Sequence, residues 1–145
     1  MLDFDGVLHH AHGSKVPDFS FAPQLAAVVA EYECQVVISS TWREHYPIEQ
    51  LRRFLPNELG ALVTDVLGPD SPGPHVRYQN ILAWVAKQPT LIDWRALDDA
   101  SSEFPIGCPQ LILCDGSVGL TDRECQALLK WLSACSNPTS FGPYR

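Results

Sequence analysis

Short apolar runs alternate with longer stretches of helical spacing along this 145-residue chain. The runs fall at residues 1–5 (MLDFD), 35–40 (QVVISS), 61–68 (ALVTDVLG), 90–99 (TLIDWRALDD) and 110–115 (QLILCD). QVVISS in particular is short, continuously apolar and β-branched, the character of a strand buried in a parallel sheet. Between the runs, apolar residues return at helical intervals. Leu25, Val28, Val29 and Tyr32 predict a helix over residues 23–33, with Pro23 at a tolerated first-turn position. A second helix is expected over 48–55, stopped near Pro56. Ile81, Leu82, Trp84 and Val85 mark a third over 77–88. Thr121 and Glu124 form a capping-box signature ahead of a last helix over 125–135. Residues 68–74 (GPDSPGP) read as loop. This alternation predicts an α/β fold on a parallel sheet. No repeat or linker divides the chain, so one domain is expected over 1–136, followed by a tail, 137–145, without periodicity.

Composition narrows the class. A hydrophobic content of 46% and a charged content of 19% belong to an ordinary globular protein with a real core. The net charge of -7 argues against a broad grip on nucleic-acid backbone, which needs clustered cations. A single strand end held by a few local cations stays compatible with it. Five cysteines, odd in number and without a C-x-x-C pair, point to free thiols in a reducing compartment. No apolar run approaches the roughly 18 residues of a membrane helix, and the first residues lack the basic-then-apolar pattern of a signal peptide. A cytoplasmic protein with no membrane partner is expected.

Open parallel sheets carry their functional groups at the carboxyl ends of the strands. Those ends hold Asp3 and Asp5, then Ser39, Ser40 and Thr41, then Asp98 and Asp99, and finally Asp115, while Arg77 stands at the start of the third helix. Alternation along a strand points Asp3 and Asp5 the same way, about 7 Å apart. Asp98 would bring a third carboxylate to the same edge. Such a cluster repels itself unless a cation sits among its members, and Mg²⁺, which favours phosphate in turn, suits oxygen ligands. Plainer readings stand beside these. Asp-x-Asp-Gly alone fits a solvated turn, and Asp99 fits a cap. Arg43 either touches substrate or lies on the surface at a helix start. His9, His10 and His12 read as solvated loop residues, with shaping of a substrate entrance as the alternative. Asp115–Gly116 reads as a turn, Cys114 as packing, and Trp42 as the tryptophan near enough to stack on a substrate.

Taken in order, DFDGVL, a hydroxyl residue after VVIS, a cation before a helix and the ALDD end resemble the four motifs of the haloacid dehalogenase (HAD) superfamily. SSTWR, R-x-x-x-I-x-x-W and DGSVGLT resemble more closely the small HAD domain associated with Swiss Army Knife RNA repair proteins. The resemblance implies a three-layer Rossmann-like core with a parallel sheet of about five strands. It further implies a phosphohydrolase acting on phosphomonoesters through an aspartyl-phosphate intermediate. Asp3 would be the nucleophile and Asp5 the general acid and then base. Mg²⁺ would be held by Asp3, the Asp5 carbonyl and Asp98, with Asp99 one layer out. Ser40, with Thr41 and Ser39 as neighbouring candidates, would bind a phosphoryl oxygen. Arg77, where many relatives carry Lys, would neutralise developing charge.

The segments after Val7 and after Gly68 are too short for a folded cap domain, so an open site is expected. It would admit a small phosphorylated molecule or a phosphate at a nucleic-acid end. The alternative function is a non-enzymatic phosphate- or Mg²⁺-binding module, comparable to a receiver domain, although receivers place their acidic pair and acceptor in the other order. A degenerate scaffold for protein contacts is a third reading. Finally, a strand needs about five residues, and the first run offers few before Asp3. The first strand is therefore expected to look clipped, as though residues before Met1 were missing.

Overall fold

A computed structural model describes residues 1–13 and 16–136 of the chain; the expected tail, 137–145, lies outside the described residues. Strands β1 (Val36–Ile38), β2 (Val63–Val66), β3 (Ala96–Asp98) and β4 (Leu111–Leu113) are joined by helices α1 (Ala22–Val29), α2 (Ile48–Arg53), α3 (Asn57–Gly60), α4 (Val76–Ala86) and α5 (Asp122–Cys135). α1 precedes β1, α2 and α3 lie between β1 and β2, α4 leads from β2 to β3, and α5 follows β4. All strand pairing is parallel, in two pairs: β1 with β2 and β3 with β4.

Among the described residues the expected sheet of about five regular strands is not seen. Instead Leu2 joins the two pairs, making single bridges to Ile38 on one side and Leu97 on the other. Its N–H donates to the Val37 carbonyl and its carbonyl accepts from Ser39 N–H, both at 2.9 Å. The first run is thus clipped beside its neighbours, as its length predicts. A cleft of about 950 Å³ opens next to it at the amino-terminal side of the sheet, lined by Met1, Cys34, Val36, Trp94 and Arg95. That cleft lies opposite the end where the aspartates gather.

Residue alternation along the strands separates two cores. Leu2, Phe4, Val36, Ile38 and Leu97 pack with α1, α3 and α5 residues on one face. Val37 and Ala96 pack with Ile81 of α4, Trp94 and Phe104 on the other. Helices therefore cover both faces, the three-layer arrangement that near-continuous apolar strands require. The same alternation turns Asp3 and Asp98 toward the α4 face, since their neighbours Leu2 and Leu97 face α1.

Several elements differ from the sequence reading. α1 stops at Val29. The short helix α3 follows Pro56, between the second expected helix and the third apolar run, where the sequence reading placed no element. The apolar run 90–99 yields only a three-residue strand, with Leu91 fully exposed and the Asp93 carboxylate accepting from Trp94 N–H. Thr121 does start α5, but its hydroxyl donates to the Glu124 carboxylate instead of accepting from the helix backbone. Neither the loop after Val7 nor residues 67–75 carries a folded cap among the described residues.

Candidate active site

Parallel register assembles the site. Because Leu2 is level with Ile38 and Leu97, the next residue on each chain, Asp3, Ser39 and Asp98, stands one step further toward the carboxyl end. Asp3, Asp98 and Asp99 each offer a carboxylate oxygen within 4.8 Å of the others. Asp98 is fully buried and Asp3 nearly so. Asp99, expected one layer out, lies within this group.

Arg77 enters from the second position of α4. The start of that helix is fixed by the turn after β3: Glu103 accepts from Arg77 N–H at 3.0 Å, and His75 Nδ1 lies 3.0 Å from the Ser102 carbonyl. His75 itself holds a left-handed backbone, φ 55°. From there Arg77 Nη1 donates to Asp98 Oδ2 at 2.7 Å and lies 3.2 Å from Asp3 Oδ1. Asp98 Oδ1 accepts from Ala100 N–H at 2.9 Å. Burial opposes the Arg77 charge, but the Asp3 and Asp98 carboxylates outweigh it and hold its pKa above the ordinary range.

One guanidinium does not balance three carboxylates. Burial and the Asp98 charge push the Asp3 pKa up to about 8, despite Arg77. Burial and Asp98 likewise raise Asp99. At full ionisation the cluster carries two negative charges in excess of Arg77, and a hard divalent cation matches both that charge and the all-oxygen donor set. The residues present therefore fit Mg²⁺.

Two glycines make room for Asp99. A β-carbon at Gly6 would lie 2.1 Å from Asp99 Oδ2, and one at Gly116 would lie 2.3 Å from the same atom. Gly6 also holds φ 79°, which glycine adopts without strain. The two loops are tied together: Ala11 N–H donates to the Gly116 carbonyl at 2.8 Å, and Leu120 N–H to the Val7 carbonyl at 2.8 Å. Asp115 accepts from the Ser117 amide and hydroxyl, and so forms the expected turn.

Asp5 stands apart from the carboxylate group. Its Oδ1 is 2.6 Å from His9 Nε2, and its Oδ2 accepts from Trp42 Nε1–H at 3.1 Å. Trp42 belongs to a 3₁₀ turn, Thr41–Glu44, whose N-cap Ser40 accepts from Trp42 N–H at 3.2 Å. Ser40 is wholly buried and Thr41 exposed, while the buried Ser39 Oγ has no hydrogen-bond partner among the described residues.

Arg43 is not the surface arginine of a helix start. Its side chain is buried and donates to the carbonyls of Ser39, Ser40, Leu67 and Gly68, stapling the loop after β1 to the loop after β2. Sequence reasoning also missed the contact of His9 with Asp5 and the part played by Glu103. For His9 the available signal was its place four residues after Asp5, across a glycine turn. His10 and His12 are absent from the carboxylate group.

No helix among the described residues is long and apolar enough to cross a membrane. No curated protein and no solved structure matches the chain. Over residues 1–125, however, the chain matches the family model of the HAD domain in Swiss Army Knife RNA repair proteins, and it belongs to that family.

Proposed function

We propose that this chain is a Mg²⁺-dependent phosphohydrolase of phosphomonoesters. HAD family membership supports the hydrolase class. The observation that carries the specific reading is Arg77 bonded to both Asp3 and Asp98 inside one group of three carboxylates. A phosphoryl group brings the negative charge that this guanidinium would meet once the cation has neutralised the aspartates.

In this reading an Asp3 oxygen attacks phosphorus, the bond to the leaving alcohol breaks, and Asp5 gives that oxygen its proton. Water then attacks the aspartyl-phosphate, passes a proton to Asp5, and releases phosphate with Asp3 restored as carboxylate. The carboxylates of Asp3, Asp98 and Asp99, with the Asp5 carbonyl, would hold Mg²⁺. When bound, the ion supplies charge neutralisation at the phosphoryl oxygens. A hydroxyl from the Ser40–Thr41 turn binds one of those oxygens, and Arg77 binds another. With no folded cap among the described residues, the site suits a phosphorylated small molecule or a phosphate at a nucleic-acid end. Free cysteines at the described positions fit a reducing cytoplasm.

The test is phosphate release from p-nitrophenyl phosphate with and without Mg²⁺. Turnover that needs Mg²⁺ and disappears in Asp3→Asn is expected. Turnover unchanged in Asp3→Asn would sink the assignment of the nucleophile. A stable phosphoprotein that never turns over would favour the regulatory module instead.

A further inference from the structure

We propose that His9 is a positioning residue for Asp5, held as a fixed hydrogen-bond donor so that Asp5 meets the leaving oxygen in one orientation. This rests on the phosphohydrolase reading and extends it to a residue outside the four motifs. His9 is 4% exposed, unlike a solvated loop histidine. Its ring has both nitrogens engaged. Phe19 N–H donates to Nδ1 at 3.1 Å, so Nδ1 carries no proton. The proton of the neutral ring is therefore on Nε2, and Nε2–H donates to Asp5 Oδ1 at 2.6 Å.

The surroundings leave the ring little freedom. Phe19 packs edge-on against it at 5.0 Å, and Trp42 lies 5.7 Å away. Phe19 holds φ 63°, a left-handed conformation that bulky residues rarely adopt. Its N–H is the one aimed at His9, so the local strain coincides with the contact that sets the tautomer. Backbone bonding adds a further tie, since Gly6 N–H donates to the His9 carbonyl at 2.9 Å. Trp42 Nε1–H occupies the second Asp5 oxygen. Asp5 side-chain exposure is 48%, so these two donors, rather than burial, fix its carboxylate.

The consequence is selective. An alkyl leaving group needs its proton as the P–O bond breaks, and a p-nitrophenolate leaving group does not. Misplacing Asp5 should therefore slow formation of the aspartyl-phosphate from alkyl esters far more than from p-nitrophenyl phosphate. The experiment compares kcat/KM, which reports the steps up to the aspartyl-phosphate and not its shared hydrolysis, for both esters, with Mg²⁺, in the wild-type chain, His9→Phe and His9→Gln. His9→Phe keeps a ring but no donor, whereas His9→Gln can place an N–H where Nε2–H stood. A fall of about 100-fold in kcat/KM for the alkyl ester is expected in His9→Phe, at the lower end of general acid catalysis. The p-nitrophenyl ester should lose far less in kcat/KM, and His9→Gln should recover most of the loss. Equal losses on both esters, or none, would overturn the role. ¹⁵N NMR of the wild-type ring supplies a readout independent of turnover and of variant folding. It should show a protonated Nε2 and a bare Nδ1, and the reverse tautomer would overturn the proposal. Hydrolysis of neither ester by the wild-type chain would count against the phosphohydrolase reading itself, and the catalytic role of His9 would fall with it.

Discussion

Arg77 Nη1 lies 2.7 Å from Asp98 and 3.2 Å from Asp3, with the Asp98 side chain shut away from water. Removing a charged partner from such a pair strands the other charge in the interior. Arg77→Met should therefore cost about 3–5 kcal/mol of stability in the metal-free chain, read from denaturant unfolding. Arg77→Lys should cost less, yet lower kcat, because a point charge does not reproduce the guanidinium fork. Full stability in Arg77→Met would contradict the ion-pair network. Arg77 was legible in the sequence because a cation before a helix is part of an ordered motif. Arg43 was not: it resembles a surface arginine until the loop carbonyls it binds are brought together by tertiary packing. His9 was hidden for the same reason, since its partners Phe19 and Trp42 come from two separate segments.

Among the elements, the loops after Leu2 and after β4 act together, closing on Asp99 through Gly6 and Gly116. Gly116→Ala would put a methyl group where Asp99 Oδ2 now sits, and the carboxylate must move. Mg²⁺ affinity, measured by calorimetry, should fall roughly tenfold, the lower end of what displaced metal-site partners cost. Unchanged affinity would mean that Asp99 is not held where the cation binds. Helices α2, α4 and α5 were legible because their apolar spacing survives into the folded core. α3 was not, because a single turn is too short to show a period. The run at 90–99 misled because apolar character alone does not make a strand: Leu91 has no sheet neighbour and faces water. The first run pairs only through the single bridges of Leu2 to Ile38 and Leu97.

For the molecule as a whole, the carboxylate cluster links stability to pH and to metal. Asp3 titrates near pH 8 in the folded, metal-free chain against 3.8 for an ordinary aspartate, so the folded state holds its proton more tightly. That contribution is fully present below about pH 4 and is lost as the pH rises through about 8. The metal-free melting temperature should fall across this window, and Asp3→Asn should flatten the slope. Saturating Mg²⁺ should raise the alkaline end, because binding to the folded state alone stabilises it. An identical slope in Asp3→Asn would contradict the assignment of that proton to Asp3. The central claim is covalent chemistry at Asp3. It is tested most directly by acid-quenching the wild-type chain during turnover of p-nitrophenyl phosphate with Mg²⁺ and mapping the phosphorylated peptide by mass spectrometry. Phosphate on Asp3 during turnover, absent once substrate is consumed, is the expected result; steady phosphate release with no phosphate found on Asp3 would contradict the account.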